Sequence, residues 1–428
     1  MDADSPRHIA VIGSGPAGCF TAQALRRQWK DADITIFDRL ASPYGLIRYG
    51  VAADHQHTKA VTRQFDRNFG SGDFRFAGNV EVGSDIDLDV IRAEFDIVVL
   101  ATGRWRDRTL TVPGAHLDGV LVSGDIVNAL NTVPRPNIPM PTIGRKVVVV
   151  GAGNVALDIV RFLIKTAADY ADSDVSPEAL DSYLSSPATE VTVLSRSPIA
   201  SAKADVAMIR ELGKIPGVRI TVANASPAAE DNTLGRKREA AFAELASRDV
   251  DEVRAHVHFV FGATPSRVGG TTQVETVHLS AAPSGEASVI PADTVISAIG
   301  FDVNAPGHWH YAEEYDFTPS DTLGRIGPGL YRSGWLKRGP VGAIPANRSD
   351  AHQVAKEIIA DVESGDCTIN PEAGGYEALP ASLTKQSVSF AHWGRIDSAE
   401  RANAGESRIR RKFHDHEDML AAARSQDS

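Results

Sequence analysis

Residues 146–160 read KVVVVGAGNVALDIV. A run of valines passes into G-x-G-x-x-A and then into apolar residues at helical spacing, the pattern of a parallel strand entering a phosphate-binding turn and a helix. The same device opens the chain, where residues 8–25 read HIAVIGSGPAGCFTAQAL. A second echo follows each turn. FDIVVLATG (95–103) comes after the first and ADTVISAIG (292–300) after the second, so each half begins on a glycine turn and ends on a strand closing in Ala-x-Gly. Short β-branched strands alternate with Gly-rich turns and helical stretches throughout, which predicts an α/β chain with parallel sheets. The expected architecture is two Rossmann-like dinucleotide-binding domains, the second inserted into the first. The first domain takes residues 1–106 and, with a C-terminal extension, 330–428; the inserted domain takes 107–329. The Pro-rich stretch TVPRPNIPMPTIG (132–144) reads as a linker.

Composition narrows the class of protein. With 428 residues and 43% hydrophobic content there is material for two or three cores. The N-terminal MDADSPRH is acidic without an apolar segment, and runs such as DIVVLA are too short to span a bilayer, so neither export nor anchoring is expected. Cys19 and Cys367 are the two cysteines and form no C-x-x-C, which argues against a dithiol centre, a disulfide framework or a metal cluster and fits a reducing cytoplasm. A formal net charge of -11 argues against wholesale nucleic-acid binding.

Gly13, Gly15 and Gly18 complete a G-x-G-x-x-G between strand and helix. The first glycine permits the tight turn, the second lets the backbone approach a pyrophosphate, and the third lets helix and strand pack. Asp38 in ITIFDR ends the next strand, where a carboxylate accepts hydrogen bonds from a ribose 2′-OH. The second turn, Gly151, Gly153 and Ala156, leads to TEVTVLSRS, whose strand ends in Ser195, Arg196 and Ser197 with no acid. A 2′-phosphate favours Arg and hydroxyl donors there. The first site therefore suits an adenosine without a 2′-phosphate and the second suits NADP: two different dinucleotides, most simply FAD and NADPH.

Two further stretches bear on the flavin. PYGLIRYGVAADHQHTK (43–59) is too rich in Gly and polar residues for a core helix yet carries apolar residues able to line a ring. Residues 329–362 run from a strand through a Gly/Pro turn into an amphipathic helix beginning near Ala343 to Asn347. A helix N-terminus aimed at the pyrimidine edge of an isoalloxazine stabilises negative charge on it. Trp335 reads from composition as a core tryptophan, or else as a cover for stacked rings. The run NTLGRKREAAFAEL (232–245) reads as a solvated helix start; alternatively Arg236, Lys237 and Arg238, with Arg210 a neighbour, form a basic patch for an acidic partner.

IGSGPAGCFTAQAL, PYGLIRYGVAADH, AGNVEVG, ATG, GAGNVALDIVRFL, IRELGKIPGV, SGWLKRGPVGAIPANRSDA and WGRIDSAE occur in this order. The chain thereby resembles, over nearly its whole length, the adrenodoxin-reductase-type ferredoxin–NADP reductases, built on the glutathione-reductase-like two-dinucleotide fold. The resemblance implies that Gly15, Ala17, Asp38, Leu46 and Val82 contact FAD, with Trp335, Gly342, Ala343 and Ile344 beside its isoalloxazine. It implies that Asn154 and Val155 meet the NADP pyrophosphate and Arg196 the 2′-phosphate, and that His55, Asp158 and Glu211 lie near nicotinamide and flavin. It also implies electron transfer from NADPH through flavin to a small iron–sulfur protein. The sequence departs from the pattern where Arg196, Ser197, Pro198 and Ile199 stand in place of paired arginines and Gly-Pro, followed by ASAKADVAM in place of an apolar stretch; Ala53 replaces a proline. A smaller preference for NADPH is expected, with Lys203 able to supply charge if this loop folds back. A flavin monooxygenase or oxidase, and a slowly reduced flavin scaffold or sensor, are rival readings.

Overall fold

The computed structural model describes residues 7–104, 106–134, 138–224, 232–280, 288–301, 318–320 and 323–425. Among them the chain forms β1 (His8–Ile12), β2 (Asp33–Phe37), β3 (Arg75–Ala77), β4 (Ile97–Leu100), β5 (Val120–Val122), β6 (Lys146–Val150), β7 (Glu190–Ser195) and β8 (Val218–Ala223). It continues with β9 (Ala255–Phe261), β10 (Pro265–Gly269), β11 (Thr276–Leu279), β12 (Val289–Pro291), β13 (Thr294–Ser297), β14 (Arg325–Gly327) and β15 (Leu330–Arg332).

The chain divides into two compact units. One comprises Met1–Arg106, Asn131–Asn137 and Asp302–Ser428; the other comprises Asp107–Leu130 and Ile138–Phe301. The first is built on a six-stranded sheet in the order β14-β15-β4-β1-β2-β3, parallel except that β14 runs antiparallel to β15. Successive residues of β1 serve opposite cores: Ile9 and Val11 join Ile34, Ile36 and the helix carrying Phe20 and Leu25, while Ala10 and Ile12 join Phe37, Val98 and Leu100. A strand covered on both faces has no polar alternation, which is why IAVI and IVVL read as unbroken apolar runs. Because β14 belongs to this sheet, the chain has returned to the first unit by Arg325, before the expected boundary at 330.

The second unit holds a parallel six-stranded sheet, β5-β13-β6-β7-β9-β8, and a separate antiparallel sheet, β10-β11-β12, between β9 and β13. In both large sheets the strand entering the glycine turn (β1, β6) lies between the next strand of the nucleotide motif (β2, β7) and the strand ending in Ala-x-Gly (β4, β13). Each is a point where strand order reverses, and ligands of open α/β sheets bind outside the carboxyl ends there. No described helix is long and apolar enough to cross a membrane.

Candidate functional site

In the first unit the turn is closed by backbone hydrogen bonds. Gly13 N–H donates to Phe37 O (2.7 Å) and Ala101 N–H to Ile12 O (2.8 Å). Gly13 has φ +108°, and a Cβ there would stand 2.5 Å from Ala101 O; a Cβ at Gly18 would stand 2.0 Å from Gly13 O. Both positions exclude any side chain. Gly15 differs, because a Cβ there meets nothing within 4 Å. Its open side is a cradle that a larger residue would fill. The helix Pro16–Gln28 starts beside it without a side-chain cap, whereas helices at Ser176, Asn232, Ser389 and Asp415 are capped by those side chains. Uncapped N–H groups at a glycine turn suit an anion.

Asp38 follows β2 directly. It accepts hydrogen bonds from Ser14 N–H (2.9 Å), Ser14 O–H (2.5 Å) and Leu40 N–H (3.0 Å). Burial raises its carboxyl above the ordinary range, opposed by those bonds. The carboxylate thus anchors the turn as well as ending the strand, and three of its roughly four acceptor positions are in use. The loop after it packs on the same turn: Tyr44 N–H donates to Ser14 O (3.1 Å), and Gly45, at φ +48°, lies so close that a Cβ would be 3.0 Å from Gly15 Cα. Leu46, half-buried, begins the short helix Leu46–Tyr49. His55 is held by a bond from its N–H to Ala52 O (2.9 Å), and buried Ala53 accepts from Gln56 Nε2 (2.7 Å). Val82 is 7% exposed and packs in the core with Ile12 and Leu88.

The SGWLKRGP segment is organised by Asp350 of the helix Ile344–Ser364. This buried carboxylate accepts from Gly334 N–H (2.6 Å) and from buried Lys337 Nζ (2.9 Å). Gly334, at φ +69°, lies against the first helix: a Cβ there would be 2.4 Å from Ala17 Cβ. Trp335, the next residue, is half-buried. Arg338 donates to Asn347 Oδ1 (2.9 Å), and exposed Gly342 and Ala343 lead into Ile344 at the helix N-terminus. An open groove of about 440 Å³ lies beside Ile344 and Pro345, rimmed by exposed Arg63, Arg67 and Arg348.

The second unit repeats the closure. Gly151 N–H donates to Leu194 O and Ala298 N–H to Val150 O, both at 2.8 Å; Gly151 has φ +125°, and a Cβ would stand 2.3 Å from Ala298 O. The third position is Ala156, fully buried. The helix Asn154–Ile164 is again uncapped by a side chain, with Asn154 and Val155 half-buried in its first turn. Asn154 is clamped to Asp205: its Nδ2 donates to Asp205 Oδ2 (2.7 Å) and its Oδ1 accepts from Asp205 N–H (2.8 Å). Arg196 is exposed at the end of β7 and Ser197 half-buried. Ser195, expected to offer its hydroxyl, is buried and donates to Ser197 O (2.8 Å) instead.

Asp158 and Glu211, separate in sequence, meet on Arg161. Its buried guanidinium lies 3.1 Å from Asp158 and 3.5 Å from Glu211. Sequence reasoning missed Arg161; the signal was an arginine three residues after Asp158 inside an otherwise apolar helix face. His55 belongs to the first unit and these three to the second. Among the basic residues at 232–245, Arg238 turns inward, donating from Nε to Ala204 O and from Nη1 to Ala200 O (3.0 Å each), and Arg210 faces Glu244 at 3.5 Å. Arg236 and Lys237 stay exposed. Cys19 and Cys367 are free and buried, and burial pushes both thiols above their ordinary pKa.

Comparison with known proteins fits this geometry. A family model described as pyridine nucleotide-disulphide oxidoreductase matches residues 7–314. A protein named cindoxin reductase from Citrobacter braakii is 41% identical over 97% of this chain and 91% of its own. The mitochondrial NADPH:adrenodoxin oxidoreductase of Arabidopsis thaliana is 31% identical over 98% and 95%. The solved structure of Mycobacterium tuberculosis FprA in complex with NADPH superposes with a TM-score of 0.86 at 29% identity, covering 98% of this chain and 100% of that one. By these matches, and with two glycine turns closed alike, the chain belongs to the pyridine nucleotide-disulphide oxidoreductase family and, within it, to the adrenodoxin-reductase-type ferredoxin–NADP reductases.

Proposed function

We propose that the first unit holds FAD and the second NADPH, and that the chain passes electrons from NADPH through the flavin to a ferredoxin-type iron–sulfur protein. One observation carries this reading: two turns with the same backbone closure end their second strands in opposite charges, Asp38 and Arg196. When bound, the nicotinamide supplies two electrons as hydride and the flavin relays them to an acceptor that takes one at a time.

The protein's part is to hold both groups in register. For FAD, Gly13 and Gly18 shape the turn, Gly15 and the helix start at Ala17 receive the pyrophosphate, and Asp38 uses its remaining acceptor position on the ribose. Leu46 and Val82 complete the adenosine side. Trp335, Gly342, Ala343 and Ile344 border the ring, where the N-terminus of the long helix favours negative charge. For NADPH, Gly151, Gly153, Asn154 and Val155 receive the pyrophosphate, and Arg196 and Ser197 the 2′-phosphate. Asp158 and Glu211, held by Arg161, serve the nicotinamide in the second unit, and His55 serves charge balance at the flavin in the first; none is required as a nucleophile. An acidic iron–sulfur partner docks on Arg236 and Lys237, and two buried free thiols suit a cytoplasmic setting.

The test is anaerobic stopped-flow absorbance. The yellow protein should be bleached by NADPH and reoxidised faster by ferredoxin than by air. Fast reaction with air that depends on an organic substrate would support a monooxygenase, and sluggish bleaching by NADPH would support a scaffold or sensor.

A further inference from the structure

We propose that Lys203 grips the coenzyme's pyrophosphate at the second turn, a charge that serves NADPH and NADH alike and leaves discrimination to Arg196. The inference rests on the coenzyme reading of the second unit given above.

The loop between β7 and the helix Val206–Leu212 is tied down from both sides. Behind it, Arg238 of the helix Thr233–Ala246 holds the carbonyls of Ala200 and Ala204. In front, Asp205 is joined to Asn154, the first residue of the turn's own helix, by two hydrogen bonds. Between these ties the residues alternate: Ala202 and Ala204 are buried, Lys203 and Asp205 exposed. Lys203 is thus a side chain directed away from the core, and a methyl group added at Gly153 would stand 3.9 Å from Lys203 Cβ, its one described neighbour within 4 Å beyond the adjacent residues of the chain. Gly153 is the second glycine of the motif, where the missing side chain makes room for a pyrophosphate. Among the described residues no acid pairs with Lys203.

Charge gives the arrangement its purpose. The Asp205 carboxylate, held on Asn154, repels an anion at the helix start. A lysine two residues earlier, with a compact ammonium on a flexible stem, restores positive potential there. Because it flanks Gly153, its contact is with the phosphates common to both coenzymes.

The experiment measures binding to the flavin-loaded protein by titration calorimetry at low salt, with three probes: NADP⁺, NAD⁺ and adenosine 2′-monophosphate, which has the 2′-phosphate without the pyrophosphate. Lys203→Ala should weaken NADP⁺ and NAD⁺ by the same factor, about tenfold for loss of one hydrogen bond to a charged group, and leave adenosine 2′-monophosphate unchanged; Lys203→Arg should keep most of the affinity. Arg196→Ala should weaken NADP⁺ and adenosine 2′-monophosphate and spare NAD⁺. Loss of NADP⁺ and adenosine 2′-monophosphate binding in Lys203→Ala, with NAD⁺ unaffected, would overturn the proposal by assigning Lys203 to the 2′-phosphate. Unchanged binding of both dinucleotides would overturn it too. A wild-type protein that binds neither dinucleotide overturns instead the coenzyme reading on which it rests.

Discussion

In the first unit Gly13 donates to the end of β2 and Ala101 to the end of β1; in the second, Gly151 donates to the end of β7 and Ala298 to the end of β6, with distances agreeing within 0.1 Å. The two turns part at the third position of the motif and at the residue beyond the second strand. Gly18 has a backbone oxygen where its Cβ would go, whereas Ala156 carries its Cβ in a fully buried place. Asp38 is drawn back onto the turn by Ser14, while Arg196 projects into solvent. On the proposed reading, this shared main-chain device receives a pyrophosphate in each unit, and the differing side chains around it select the rest of each nucleotide.

The sharpest way to break this comparison is to exchange the third residues. Gly18→Ala places a methyl 2.0 Å from Gly13 O, a backbone atom with nowhere to move. Overpacking costs about 1–3 kcal/mol or more, so the variant should lose its flavin and melt well below wild type. Ala156→Gly should cost only about 1 kcal/mol. Flavin content and Tm decide: a Gly18→Ala protein that stays yellow at the wild-type Tm means the two helices stand equally far from their turns.

Exchanging the second residues separates the ligands. Gly15→Val should fold, since the space is open, yet purify colourless. Gly153→Val should stay yellow but no longer be reduced by NADPH. If both variants lose flavin, the assignment of one nucleotide to each unit fails.

The strand ends sharpen the comparison further. Ser197→Arg adds a charged donor beside Arg196, and such a bond is worth about 1.5–3 kcal/mol, or roughly ten- to a hundredfold. It should raise kcat/KM for NADPH and barely alter it for NADH. The Ser195 bond is to the Ser197 main-chain carbonyl and survives the substitution. An equal gain with both coenzymes would place the 2′-phosphate elsewhere.

The smallest effect belongs to the surface. Reversing Arg236 and Lys237 to Glu should slow reduction of an acidic ferredoxin a few-fold at low salt, fade as salt screens the charges, and leave a small dye untouched. Arg238 is left out of the design because its guanidinium holds the Ala200–Ala204 backbone. Equal slowing with dye and ferredoxin would count against docking there.

Much of this was legible in the sequence because a glycine turn is a local object. The φ values of Gly13 and Gly151, and the closeness of the next strand to each, leave few residue types possible, so the spacing alone located both turns. Asp38 and Arg196 were legible for the same reason, each following its strand directly. The Ala-x-Gly echo was legible as a repeat, although its use, placing Ala101 O and Ala298 O against the first glycines, needed the folded sheets.

What only the tertiary structure decided is what long-range partners do with side chains. A serine after a strand reads as a ligand donor until its neighbour's carbonyl is seen to take the hydroxyl, and Arg238 reads as surface charge until two carbonyls more than thirty residues away claim it. Arg161 became visible once Glu211, fifty residues on, was brought beside it, and Lys203, which the sequence offered as a compensating charge for NADPH, was set beside Gly153 by a loop fastened through Asp205 to Asn154. The chain's return to the first sheet at β14 likewise depends on a pairing that no local pattern announces. Backbone sterics act over a few residues and are written in the sequence directly; the partner of a polar side chain is whichever group the fold carries within about 3 Å of it, and that is settled only when the chain has closed on itself.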